Sequence, residues 1–138
     1  MATSYEDIYG VFLSKITDYS ILDYDDNTFN MEMMSYLNSA CARFDSFEKA
    51  NTRDELMEEF TETLSYIEIE ILANLMLLSW ITPKINNIEL LKLALSSKDY
   101  SMYSQANQLT SLINLRKTIN RECQYLMQKY SQKNILKS

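Results

Sequence analysis

The chain has no histidine, one glycine (Gly10), one proline (Pro83) and two cysteines in 138 residues. Each scarcity excludes something. Without histidine there is no Ser-His or Cys-His nucleophile pair and no histidine-bearing zinc motif. A single glycine cannot build a phosphate-binding P-loop or a dinucleotide fingerprint. Sheet-rich folds need glycine and proline in their turns, whereas helix interiors reject both, so the composition predicts an all-α protein. Cys41 and Cys123 lie far apart without metal-ligand spacing, which reads as two free buried thiols in a reducing compartment rather than a disulfide. No cofactor is expected. The opening residues, MATSYEDIYG, are acidic and lack the apolar core of a signal peptide, so secretion is not indicated. The longest apolar run, Ile67 to Ile81, carries Glu68 and Glu70 and falls short of the ~20 residues that span a bilayer, so no membrane partner is expected.

What is present is enough for one core. Hydrophobic residues make up 46% of the chain, and its length suits a single domain over 1–138. The net charge of −6 disfavours a general nucleic-acid binder, and its distribution is more informative than its total. Residues 1–70 hold 16 acids and 4 bases, whereas residues 71–138 hold 3 acids and 9 bases. Such a dipolar subunit suits head-to-tail pairing of copies, acidic half against basic half. The alternative is that the two halves neutralise each other within one molecule.

Along the chain, Ser4 reads as a helix N-cap. Tyr5, Ile8, Phe12, Ile16 and Tyr19 then form one face of a helix to about Asp18, weakened at Gly10 unless something packs closely there. Residues 21–28 read as a loop ending in the cap candidates Asn27 and Thr28. A second helix follows to about Phe47, burying Met33, Leu37, Ala40 and Phe44 with Cys41 beside them. Residues 49–63 suit a short helix, opened by the Thr52-x-x-Glu55 capping box, or an ordered loop, because Asp54, Glu55, Glu58, Glu59 and Glu62 repel one another at helical spacing. Ser65-x-x-Glu68 is a second capping box directly before the apolar run, which predicts a central helix over about 66–81 stopped by Pro83. Apolar on nearly every side, with Asn74 its one strongly polar interruption after Glu70, that helix is expected to be covered on all sides.

After a turn at Ile85-Asn86-Asn87, Asn87 is a cap candidate for a short helix from Ile88 to Leu95, and Ser96 or Ser97 precedes a long helix over about 100–132. Met102, Leu109, Leu112, Ile119, Cys123, Leu126 and Tyr130 make its near-heptad seam, with Gln105 and Arg116 at the remaining positions. Its length, ~45 Å, exceeds what a compact domain of this size needs, so part of it is expected to pack on another subunit; the alternative is fraying after residue 125. The fold class is therefore all-α, a compact helical bundle around a central buried helix with a long C-terminal helix.

Chemistry-bearing patterns are few. Asp23, Asp25 and Asn27 match the first ligands of a calcium loop, but Thr28 stands where its glycine belongs and Met34 where its glutamate belongs. The acids of 54–62 read as a solvated surface, so no metal site and no catalytic residue is expected. Lys117, Arg121, Lys129, Lys133 and Lys137 form a basic ridge on the last helix. It reads as a solvated face, as a dock for an acidic protein surface or as a contact to nucleic-acid backbone. Ten tyrosines and eight methionines suit contact surfaces as well as core.

Three blocks, YEDIYGVFLSKITDYS at 5–20, IEIEILANLMLLSWITPKIN at 67–86 and KDYSMYSQANQLTSLINLRK at 98–117, resemble in sequence and order a family of small helical proteins from the virion structural modules of tailed bacteriophages and prophages of Gram-positive hosts. A buried central helix, a turn and a long C-terminal helix also look like head-to-tail adaptors of the phage neck. The resemblance implies a homo-oligomeric ring, typically of twelve copies, that binds the portal above and a stopper or tail protein below around the DNA channel. It implies non-specific proximity to DNA, assembly in the host cytoplasm and residence in the virion neck. It carries no catalytic residues. Within YSQAN, the cluster Tyr103, Gln105, Ala106 and Asn107 reads as a specific protein contact or as the start of the long helix. Arg116, Lys117, Arg121, Lys129 and Lys133 complete the contact candidates. The tail from Lys129 to Ser138 is longer than in the smallest adaptors. The rival reading is a small helical viral module that captures a host or viral protein partner; an enzyme is not expected.

Overall fold

A computed structural model of the chain describes residues 1–16, 24–44, 47–94 and 99–137, with side chains described for all of these except 88–94, 99–106 and 134–137. Four helices dominate: α1 (Tyr5–Lys15), α2 (Asp26–Arg43), α3 (Tyr66–Ala94) and α4 (Asp99–Lys137). Three two-residue strands, β1 (Thr3–Ser4), β2 (Arg53–Asp54) and β3 (Glu59–Phe60), form a small antiparallel sheet in the order β1-β3-β2. Thr3 and Arg53 flank Phe60, while Ser4 and Asp54 flank Glu59.

The central helix is the hub. Every residue from Ile71 to Leu78 is buried, Asn74 among them, and α1, α2 and α4 all pack on α3. Asn74 lies in this apolar surround because its side-chain amide donates to the Glu70 carbonyl at 3.0 Å. Ser79 Oγ turns outward to Ser39 Oγ of α2 at 3.2 Å. The Ser65–Glu68 capping box forms as expected: Ser65 N–H donates to Glu68 Oε1 at 2.7 Å, and Glu68 N–H to Ser65 Oγ at 3.3 Å. The same carboxylate is almost fully buried, and it accepts from Lys49 Nζ at 3.0 Å and from the Tyr130 hydroxyl at 2.8 Å. It thereby ties the start of α3 to the loop before it and to the far end of α4. Burial alone would raise the Glu68 pKa, but the Ser65 N–H, the Tyr130 hydroxyl and the Lys49 ammonium outweigh it and hold the value below the ordinary one.

An aromatic chain runs parallel to this network. Tyr5 meets Phe60 edge-on at 5.4 Å, Phe60 meets Phe47 at 5.9 Å, Phe47 stacks on Phe44 at 4.5 Å, and Phe44 meets Tyr130 edge-on at 5.0 Å. The sheet is therefore joined to the C-terminal helix through side chains from four separate segments.

Several boundaries differ from the sequence reading. Pro83 does not stop the central helix, and neither a turn at 85–87 nor a cap at Asn87 interrupts it. The helix runs on to Ala94 with Pro83 inside. Proline costs a helix interior about 3 kcal/mol, but here it lies on the exposed side. Ile81 and Ile85, each essentially inaccessible, hold the register on either side of it. Thr82 Oγ1 also donates to the Leu78 carbonyl at 2.7 Å. The cap of α2 is Asp25, not Asn27 or Thr28: its carboxylate accepts from Thr28 N–H at 2.7 Å, which holds its pKa below the usual range. α1 ends at Lys15 and α2 at Arg43, earlier than expected, while Tyr19 falls outside the described residues. The α2 core face of Met33, Leu37, Ala40 and Phe44 is as expected, and both cysteines are free, Cys41 half-buried and Cys123 buried. Burial pushes the Cys123 thiol up to about 11.

Residues 48–60 are ordered, as one of the two readings had it, but they hold regular elements and not a short α-helix opened at Thr52. A 3-10 turn, Glu48–Thr52, leads into a β-hairpin, and Thr52 bonds back to the Lys49 carbonyl instead of opening a capping box. Asp54 makes the hairpin turn without glycine: its Oδ1 accepts from the N–H groups of Leu56 at 3.1 Å and Met57 at 3.2 Å. Glu58 takes the left-handed conformation, φ 51°, that a glycine would normally supply. Its carbonyl accepts the Tyr5 N–H at 2.9 Å.

α4 continues to Lys137, past the point where fraying was considered. Its seam residues Leu109, Ile119, Cys123 and Tyr130 are buried and belong to the intramolecular core. Leu112 and Leu126 pack against it half-buried, while the side chains of Met102 and Gln105 lie outside the described residues. α3 is longer than expected and packs along α4, with Glu68 near the start of α3 bonded to Tyr130 near the end of α4.

Two stability predictions follow from these contacts. A Cβ added at Gly10 meets nothing within 4 Å, so Gly10→Ala should raise stability by about 0.5–1 kcal/mol, read as a higher urea midpoint at unchanged slope. For Glu68 the folded-state pKa is lowered. Its contribution is therefore complete at neutral pH and disappears as pH falls from about 4.3, the unfolded value, through the lower folded one. Glu68→Gln should cost about 2–3 kcal/mol at pH 7 and flatten the acid limb of stability against pH. Equal acid sensitivity in both proteins would remove the carboxylate from this role.

Candidate protein-interaction faces

Charge sorts unevenly over this frame. The two described ion pairs, Lys15–Glu70 and Lys49–Glu68, both join bases and acids of residues 1–70. Among the described residues no carboxylate lies within 4 Å of Arg116, Lys117, Arg121, Lys129 or Lys133. The basic ridge of α4 is therefore not neutralised by the acidic half of the same molecule.

The sequence-predicted contact residues divide accordingly. Lys117, Arg121, Lys129 and Lys133 are exposed along α4, as is Asn107, and Arg116 is half-buried. The side chains of Tyr103, Gln105, Ala106 and Lys137 lie outside the described residues, although all four positions are helical within α4. Residues 103–107 thus do not start the long helix; they sit after its first turn.

Arg116 and Lys117 line an open cleft of about 230 Å³ together with Arg43 of α2, Asn120 of α4, and Leu78 and Thr82 of α3. Arg43 also lacks a carboxylate within 4 Å among the described residues. Three cations thus converge where α2, α3 and α4 meet, and Leu78 is the one buried member of the lining. Sequence reasoning missed Arg43, Thr82 and Asn120. No spacing rule connects a residue at the end of α2 to residues at the middle of α4, and only the packing of both on α3 brings them together.

The opposite sign collects at the hairpin. Glu55, Glu58 and Glu62 are exposed, and among the described residues no cation lies within 4 Å of any carboxylate from Asp54 to Glu62. Between these acids Leu56 is 96% exposed and Met57 67%. Arg53 orders the base of the hairpin: its guanidinium donates to the Tyr5 hydroxyl at 2.9 Å and to Asn38 Oδ1 of α2.

Tyr9 and Tyr36 are driven above the usual phenol range, chiefly by burial, and Cys41 is likewise raised by burial, so none of them is a poised nucleophile or base. Among the described residues no group of three metal-ligating side chains converges, and no helix is long and apolar enough to cross a membrane. No protein-family model, curated protein or solved structure matches the chain.

The ridge should be separable from the fold. Lys117→Ala, Arg121→Ala and Lys129→Ala are each expected to shift unfolding free energy by no more than about 0.5 kcal/mol. Ile119→Ala, on the buried side of the same helix, should cost about 2–4 kcal/mol. Urea titrations of the four variants check this, and a ridge lysine as costly as Ile119 would place that lysine among the residues that hold the fold.

Proposed function

We propose that this chain is a structural assembly protein, a head-to-tail adaptor of a tailed-phage neck. In this reading it forms a homo-oligomeric ring around the DNA channel and joins the portal to a downstream stopper or tail protein. The observation that carries this reading is the charge left uncompensated inside the molecule. Among the described residues neither the basic α4 face nor the acidic hairpin end makes an ion pair within 4 Å inside its own chain. Opposite surfaces on one rigid subunit suit heterologous contacts, which close into rings when the rotation allows. The phage neck as the setting comes from the resemblance of residues 5–20, 67–86 and 98–117 to virion-module proteins.

A helical module that captures a partner on one face is the second reading, and the open cleft at Arg43, Arg116 and Lys117 is the observation that favours it. The two part company in the particle. Peptide mass spectrometry of purified virions should find this chain at a fixed copy number relative to the portal, and particle images should place it between head and tail. Its absence from virions, with the protein abundant in the infected cell, would sink the adaptor reading and leave the capture module.

A further inference from the structure

The hairpin tip and the basic cleft complement each other in three respects. The tip carries Glu55 and Glu58 around the exposed side chains of Leu56 and Met57, and the cleft carries Arg43, Arg116 and Lys117 around Leu78. Acid on the tip answers base in the cleft, each surface includes an apolar side chain, and among the described residues neither makes an ion pair within 4 Å. They cannot meet within one chain. The turn that leads into the hairpin is tied to the start of α3 through Lys49 and Glu68, whereas Thr82 of the cleft lies about 21 Å further along that helix at 1.5 Å per residue.

We infer that the tip Glu55–Glu58 of one copy seats in the cleft lined by Arg43, Thr82, Arg116 and Asn120 of the next copy. The contact is heterologous, since the tip and the cleft are different surfaces of one subunit, and its repetition generates a ring or an open array. Exposed ion pairs contribute little energy individually, so the rim charges steer and orient the encounter. Burying Leu56 and Met57 supplies the affinity. The inference rests on the ring reading for the identity of the occupant, but it makes a separate claim about which surfaces touch.

Site-directed cross-linking of the full-length chain tests it. A differently tagged pair, Met57→Cys in one copy and Asn120→Cys in the other, is mixed and oxidised. The unsubstituted chain, with Cys41 half-buried and Cys123 buried, gives the background. A mixed dimer near twice the 16.2 kDa chain mass is expected, in at least tenfold excess over background. Adding Arg116→Glu and Lys117→Glu to the cleft copy should abolish it, and adding Glu55→Lys and Glu58→Lys to the tip copy should restore it; matching circular dichroism confirms that each variant folds. A yield no higher than background, or one insensitive to the charge reversals, overturns the pairing even when the chain is found in virions. If the cleft reversals leave the cross-link unchanged but abolish retention of duplex DNA in a gel shift, the cleft takes nucleic-acid backbone and the pairing is likewise overturned. A charge-dependent cross-link from a chain missing from virions would keep the pairing and discard the neck assignment.

Discussion

One buried carboxylate sets the arrangement of this fold. Glu68 closes the capping box of α3, takes the ammonium of Lys49 from the preceding turn, and accepts the hydroxyl of Tyr130 from the far end of the chain. An ionised group with so little access to water is costly unless every lone pair is matched. Here backbone, cation and phenol match it from three segments at once, so the group keeps its charge. Its worth lies less in net stability than in what it forbids. A slip of α4 by one turn along α3 would leave the carboxylate short of a partner and the phenol unbonded. Such a slip would also carry Ile119 and Cys123 off the α3 surface that buries them. The polar node fixes the register, and the apolar seam then supplies the attraction.

The sheet depends on the same node from the other side. β1 and β2 sandwich β3 over only two residues each, too short to be stable alone. Its stability is borrowed from side chains: Phe60 lies between Tyr5 and Phe47, and the stack continues through Phe44 to the ring of Tyr130. Leu64 N–H donates to Thr3 Oγ1 at 2.8 Å and Thr63 Oγ1 to the Met1 carbonyl at 2.6 Å, which stitches the first residues to the approach of α3. Tyr130 thus ends both the aromatic chain and the hydrogen-bond network, and that convergence is what makes hairpin, bundle and C-terminal helix one unit.

The legible part of this fold was its periodicity, and the illegible part its exceptions. Ser4, the α2 face from Met33 to Phe44 and the Ser65–Glu68 box were readable because capping and apolar spacing are local. The hairpin was not, because scarcity of glycine argues against turns and here Asp54 and Glu58 take over the turn positions. Pro83 misled for a related reason. Proline stops helices that have little else holding them, and the burial of Ile81 and Ile85 is a tertiary fact. The seam of α4 was legible as apolar, and its described buried residues pack into the chain's own core, where α3 runs further than a stop at Pro83 would allow. Of the candidate contacts, the basic ridge was visible as fours and eights along one helix. The cleft was not, because it joins α2 to α4 through α3.

These points bear on why a subunit with two uncompensated faces would need so stiff a frame. Opposite charges in water orient molecules cheaply but hold no angle. For head-to-tail contacts to close into a ring of defined size, the angle between donor and acceptor faces must vary little from copy to copy, because an error at each contact accumulates around the circle. The acidic hairpin is tied to the start of α3 and the basic cleft lies at its middle, beside Leu78 and Thr82, so that angle is set by α3 itself and by whatever locks the hairpin to it. Lys49 meets Glu68 there, and the aromatic stack ends there on Tyr130. On the head-to-tail reading proposed above, the buried pairing that fixes the hairpin to α3 also fixes the angle between the two exposed charged faces.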